Sequence, residues 1–154
     1  MAKVTFKVEG MKELQKSLKK LGEVPQKHVT ASSRKGMSIV LRQARANAPY
    51  DTGALKQGII MVGEKARTKG KKVYRIVFDR AMNEIFQKKN KEGKVVAYYP
   101  VSQEYGYFTR NGRYIPGFRF IRGAFEENAQ KMANTIVDTM KKKIDDEIRK
   151  AGLR

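Results

Sequence analysis

The sequence predicts an α+β fold: a small, mostly antiparallel sheet of hairpins packed with two N-terminal helices and one long C-terminal helix. Three observations predict it. Apolar residues recur at steps of three and four from Ile121 to Ile148, the mark of a long amphipathic helix. Between residues 59 and 116, short β-branched and aromatic runs are separated by glycine-bearing turns. A basic helical segment is stopped at Ala48-Pro49, because proline has no amide hydrogen and pushes the preceding residue out of the helical region. The segments do not alternate as a parallel sheet requires.

Taken in order, residues 3–8 read as a strand, with Val4, Phe6 and Val8 on one face and Lys3, Thr5 and Lys7 on the other. Met11, Leu14, Leu18 and Leu21 give a first helix closed by Gly22. Pro25 suits the first turn of a second helix running to about Asn47, with Val29, Met37, Val40, Leu41, Ala44 and Ala48 as its apolar face. Ser32, Ser33 and Gly36 thin that helix, so another backbone packs closely there or the helix is locally weak; close packing is favoured. Pro49, Asp51, Thr52 and Gly53 form a structural turn, and Leu55 opens a strand reaching Lys65. Val73 to Asp79 is its hairpin partner. Residues 81–94 read either as one or two helical turns followed by a polar run, or as a second charged hairpin tip. Val95 to Tyr99 is strand-like, Pro100 to Tyr107 a short helix, and Arg110-Asn-Gly-Arg113 a tight turn between Phe108 and Tyr114.

The last helix runs from about Arg119 to Lys150. At 1.5 Å per residue it spans roughly 45–50 Å, against a width of about 30–35 Å for a compact chain of this size. An unbroken helix then overhangs its own domain and leaves apolar residues uncovered, so Ile136, Met140, Ile144 and Ile148 are expected at a subunit interface. A kink or fraying after Met140 is the alternative.

Length suits a single domain over 1–154, with a basic hairpin tip near 64–72 and a basic insert near 82–96. No apolar run approaches the ~18 residues of a membrane span, and the N-terminal residues lack a signal peptide's apolar stretch. With no cysteine and one histidine, disulfides and thiol chemistry are excluded, and any His-based metal site or triad would have to use His28, which reads as a solvated surface residue. Glu104 is a lone carboxylate among basic and aromatic residues; an ion pair with Arg119 or Arg122 is expected, not acid–base work. Neither a phosphate-cradling loop nor a dinucleotide fingerprint is present.

The formal charge is +19, spread along the chain: residues 1–49 hold 11 basic and 3 acidic groups, residues 50–118 hold 14 and 6, and residues 119–154 hold 9 and 6. Such self-repulsion calls for a polyanion or an acidic protein partner. Lys65, Arg67, Lys69, Lys71 and Lys72 crowd one tip, which is expected to stay mobile until it meets an anion; Lys88, Lys89 and Lys91 follow in the insert. These eight are the candidate nucleic-acid-facing residues.

Asp51-Thr52-Gly53 spells the catalytic tripeptide of aspartic proteases, but it follows a helix instead of a buried strand. That chemistry also needs a second carboxylate sharing a proton. The wider pattern resembles something else. Gly10 to Leu21, the basic alanine-bearing helix, Asn47-Ala-Pro-Tyr-Asp-Thr-Gly-Ala-Leu55, Gln103-Glu-Tyr-Gly106 and Pro116-Gly-Phe-Arg-Phe-Ile-Arg-Gly-Ala-Phe125 occur in an order similar to that of small neck, or tail-completion, proteins of long-tailed bacteriophages and prophages. That family is named after the gene-product-ten neck protein of a lambdoid coliphage. The resemblance runs from about Val8 to Met140, and the basic stretch Met82–Val96 departs from it.

The resemblance implies a structural virion protein of the head–tail connection, without enzymatic activity, cofactor, metal, small-molecule substrate or membrane. It implies self-association into a closed ring, expected to be a hexamer, with double-stranded DNA passing through the bore. Its neighbours would be head-completion or connector proteins and tail-terminator or tail-tube proteins, in a particle assembled in the host cytoplasm. A sequence-nonspecific nucleic-acid-binding module is the alternative that composition supports.

Overall fold

The structure, a computed structural model, describes residues 26–150. The strand expected at 3–8 and the helix expected at Met11–Leu21 lie outside the described residues.

Two long helices form the frame: α1 (Gln26–Asn47) and α5 (Phe120–Lys150). They run antiparallel, since His28 near the start of α1 meets Glu147 near the end of α5, and Gly36 meets Ile136 midway. The buried positions of α1 are His28, Ser32, Gly36, Val40 and Ala44, a step of four at every move. A row of fours is the ridge by which one helix seats in the groove of another. Because most of these side chains are small, the backbones come close: a Cβ on Gly36 would collide with the Ile136 side chain and lie 3.0 Å from the Met132 carbonyl oxygen. The thin stretch of α1 is therefore the contact seam. The core continues through Ala48, Leu55, Ile59, Phe120, Ala124 and Met132.

Between the long helices come α2 (Ala54–Gly58), β1 (Ile59–Gly63), β2 (Tyr74–Phe78), a 3₁₀ turn (Arg80–Met82), α3 (Asn83–Phe86), β3 (Gln87–Lys89), β4 (Val95–Tyr98), α4 (Tyr99–Tyr105), β5 (Gly106–Phe108) and β6 (Tyr114–Pro116). Among the described residues the strands pair antiparallel as β1–β2, β3–β4 and β5–β6 and no further. This corrects the expected architecture. The described residues are α+β, but with three separate two-stranded sheets instead of one sheet of hairpins, and with one long helix on the N-terminal side facing one at the C-terminus. The reason is local: helical turns at 80–86 and 99–105 separate successive hairpins and keep their edges from meeting.

Two further corrections concern element boundaries. Residues 54–58 form a helical turn, not the start of a strand; Ala54, Leu55, Lys56 and Gln57 are good helix formers that follow a turn, and Leu55 is buried. Residues 81–94 combine both alternatives, a short helix followed by a hairpin whose tip is shaped by Asn90 Oδ1 accepting from the Glu92 and Lys94 amides. An edge-to-face aromatic group, Phe78, Phe86, Tyr98 and Phe120, with centroids 6.1–6.4 Å apart, joins β2, α3, β4 and α5.

Candidate nucleic-acid interface and subunit contacts

The turn after α1 comes first. The Ala48 amide closes α1 on Ala44, Gly53 takes a left-handed φ of 80°, and the Ala54 amide donates to Thr52 Oγ1 at 3.4 Å. Pro49 is half-buried, and Asp51 is exposed. Arg45 Nε donates to the Ile59 carbonyl at 2.9 Å, tying the helix to the start of β1. Thr52 and Gly53, with Arg45, Tyr50, Lys56 and Gln57, line an open depression of about 490 Å³.

The first basic tip joins β1 to β2. Lys65, Arg67, Lys69 and Lys71 are exposed. Lys72 is half-buried, donating through Nζ to the Glu64 carbonyl and lying 5.4 Å from the Tyr74 ring centroid. Glu64 pairs with Arg75 at 3.1 Å. Gln26, at the start of α1, grips the tip from below: its Nε2 donates to the Lys71 carbonyl at 3.0 Å, and its Oε1 accepts from the Gly70 amide at 2.8 Å. A side chain 44 residues away in sequence thus ties one side of the tip to the start of α1. The second tip, β3–β4, exposes Lys88, Lys89 and Lys91.

A third tip escaped the sequence reading as a site. Between β5 and β6, Arg110 and Arg113 flank Asn111-Gly112, with Thr109 Oγ1 donating to the Arg113 carbonyl and accepting from its amide, both at 3.1 Å. Two arginines bracketing a turn between aromatic residues were the available signal.

The residues expected at a subunit interface all lie on α5. Ile136 packs against the core, Met140 is buried, and Ile144 and Ile148 are half-buried. α1 runs alongside the last turns of α5 and covers part of that stripe, since Lys27 and His28 both reach Glu147, at 3.4 and 3.1 Å. His28 is itself buried in that seam, not solvated at the surface.

Glu104 is also re-read. It is 2% exposed, and its two oxygens accept from the backbone amides of Ile121 (2.9 Å) and Arg122 (3.0 Å). The carboxylate caps the free donors at the start of α5, where the helix dipole favours negative charge. Arg122 pairs instead with Glu126 at 2.7 Å, a bond that raises its pKa further. Burial raises the Tyr98 phenol above its ordinary value, with nearby Arg80 opposing and Asp79 adding to the shift. Among the described residues, no group of three or more His, Asp or Glu is placed to hold a metal ion, and no helix is long and apolar enough to cross a membrane.

A protein-family model described as "Bacteriophage HK97-gp10, putative tail-component" matches residues 12–106, well over half of the chain. The chain belongs to this family of phage tail components. The matched segment holds the whole of α1, the turn at Pro49–Gly53 and the first two basic tips; the β5–β6 tip and α5 lie beyond it. Comparisons with curated proteins and with solved structures find no match.

Proposed function

We propose that this phage tail component is a neck, or tail-completion, protein: a non-enzymatic subunit of a closed ring at the head–tail connection, with double-stranded DNA passing through its bore. Family membership carries the reading. The charge supports it: +19 spread over the chain suits a surface that attracts phosphate without reading sequence. Two tips presenting lysines and one arginine on short hairpins would line such a bore while making few contacts each, so the genome is held off the wall without being gripped. A hexamer is the expected closure. Ile136, Ile144 and Ile148, half-buried along α5, keep part of their surface for a neighbouring copy, whereas Met140 is committed within the chain.

Light scattering tests this on the purified chain, alone and with the adjoining head-completion and tail-tube proteins. Rings are expected in at least the second condition. A monomer in both, with tight salt-sensitive DNA binding, would replace the ring by a nonspecific nucleic-acid-binding module.

A further inference from the structure

The three hairpins are alike in topology and unlike in chemistry. The first two tips carry six lysines and one arginine among Lys65, Arg67, Lys69, Lys71, Lys88, Lys89 and Lys91, with no aromatic residue among positions 64–72 or 88–94. The third inverts this. Residues 105–119 contain five aromatic residues and three arginines, with no lysine and no acid. The aromatic residues are in the open: Phe108 is 73% exposed, Tyr105 66% and Phe118 65%, and Tyr107 and Tyr114 are exposed too. Phe108 and Tyr114 face each other across the strand pair with centroids 5.2 Å apart.

This finger is also rigidly mounted. The Phe118 and Arg119 amides donate to the Gln103 and Glu104 carbonyls, and Glu104 in turn caps α5. Tyr114 Oη donates to the Tyr105 carbonyl. Gly106, at φ 88°, leaves no space for a Cβ against the Ile115 carbonyl, so both strands are pressed together at the base. Rigid aromatic anchors beside arginine are what protein–protein hot spots are made of, and lysine is depleted there.

We infer that the β5–β6 finger, Tyr105 to Arg119, docks into an apolar pocket with an acidic rim on a different protein of the phage particle. Charge selects that occupant. Another copy of the chain brings a net +19, and residues 1–25 of the same chain bring 6 lysines against 3 glutamates, so the net field of either opposes three arginines, whereas an acidic partner attracts them. A nucleic acid is disfavoured because the paired DNA of the proposed bore offers no free base to stack on these rings. The inference rests on the tail-component reading but needs neither ring closure nor passage of DNA.

Photo-crosslinking in purified particles tests it, with p-benzoylphenylalanine replacing Phe108 and, separately, Tyr105, so that one poorly incorporated probe does not decide the result. The expected product joins this chain to a different particle protein of net negative charge, identified by mass spectrometry. The double reversal Arg110→Glu and Arg113→Glu, with an unchanged melting temperature, is expected to lower the yield about tenfold, the change that about 1.4 kcal/mol produces. Products only with a second copy, with residues 1–25 or with DNA, no product at either position, or a yield indifferent to the reversal would each overturn the inference. Absence of the unaltered chain from particles would instead overturn the tail-component reading.

Discussion

Glu104 holds two backbone amides that otherwise have no partner at the head of a 31-residue helix. Glu104→Ala strips the acceptor and leaves both part-buried donors without it, so urea unfolding is expected to show a loss of about 1–3 kcal/mol. Glu104→Gln, which keeps one acceptor oxygen, is expected to lose less; equal losses would argue against capping. Ser32 presents the opposite case. Its hydroxyl is buried in the α1–α5 seam without a hydrogen-bond partner, and Ser32→Ala is expected to leave the melting temperature unchanged or higher. A clear fall would show that the hydroxyl has a partner. At this scale the sequence marked Glu104 as unusual but misjudged its partner. Side-chain types advertise ion pairs, whereas a backbone amide becomes a cation's equivalent only once a helix starts beside it.

The seam between α1 and α5 gives the element-scale prediction. Gly36→Ala gains roughly 1 kcal/mol of intrinsic helix stability. It also drives a methyl group into Ile136 and the Met132 carbonyl, and overpacking of this kind costs about 1–3 kcal/mol. The net expectation is a lower melting temperature, and a higher one would mean that the helices can part without cost. The weak middle of α1 was legible because Ser32, Ser33 and Gly36 are poor choices unless something approaches closely. Both ends of α5 were nearly legible too, from the stripe of Ile121, Phe125, Met132, Ile136 and Met140. The helical turn at 54–58 was not: Leu55, Ile59 and Ile60 fit either period over so short a span, and burial against the core decided between them.

For the whole molecule, electrostatics dominates. Replacing Lys65, Arg67, Lys69, Lys71 and Lys72 by alanine is expected to flatten the salt dependence of DNA binding by a log–log slope of about 2–4, since each phosphate contact contributes about 0.9. Filter binding between low and physiological salt measures this, and an unchanged slope would remove the tip from the DNA-facing surface. Asp51→Asn at the turn is expected to alter folding or assembly at most. A proteolytic activity lost on that substitution would contradict the structural reading. The charge itself, its even spread and the first two basic tips were open to inspection in the sequence. The aromatic third finger was visible only as a turn, because exposure of Phe108 and Tyr105 is a property of the surroundings.

Local sequence alone fixed the long helices, the turns at Gly53 and Arg110–Arg113 and the excess of positive charge, all of which follow from spacing, backbone stereochemistry and counting. Tertiary structure alone decided that the hairpins stay apart, that α1 covers the end of α5, that His28 and Glu104 are buried, and which aromatic residues face outward. Those outcomes depend on contacts between residues tens of positions apart, and no local pattern encodes which distant surface a helix will meet.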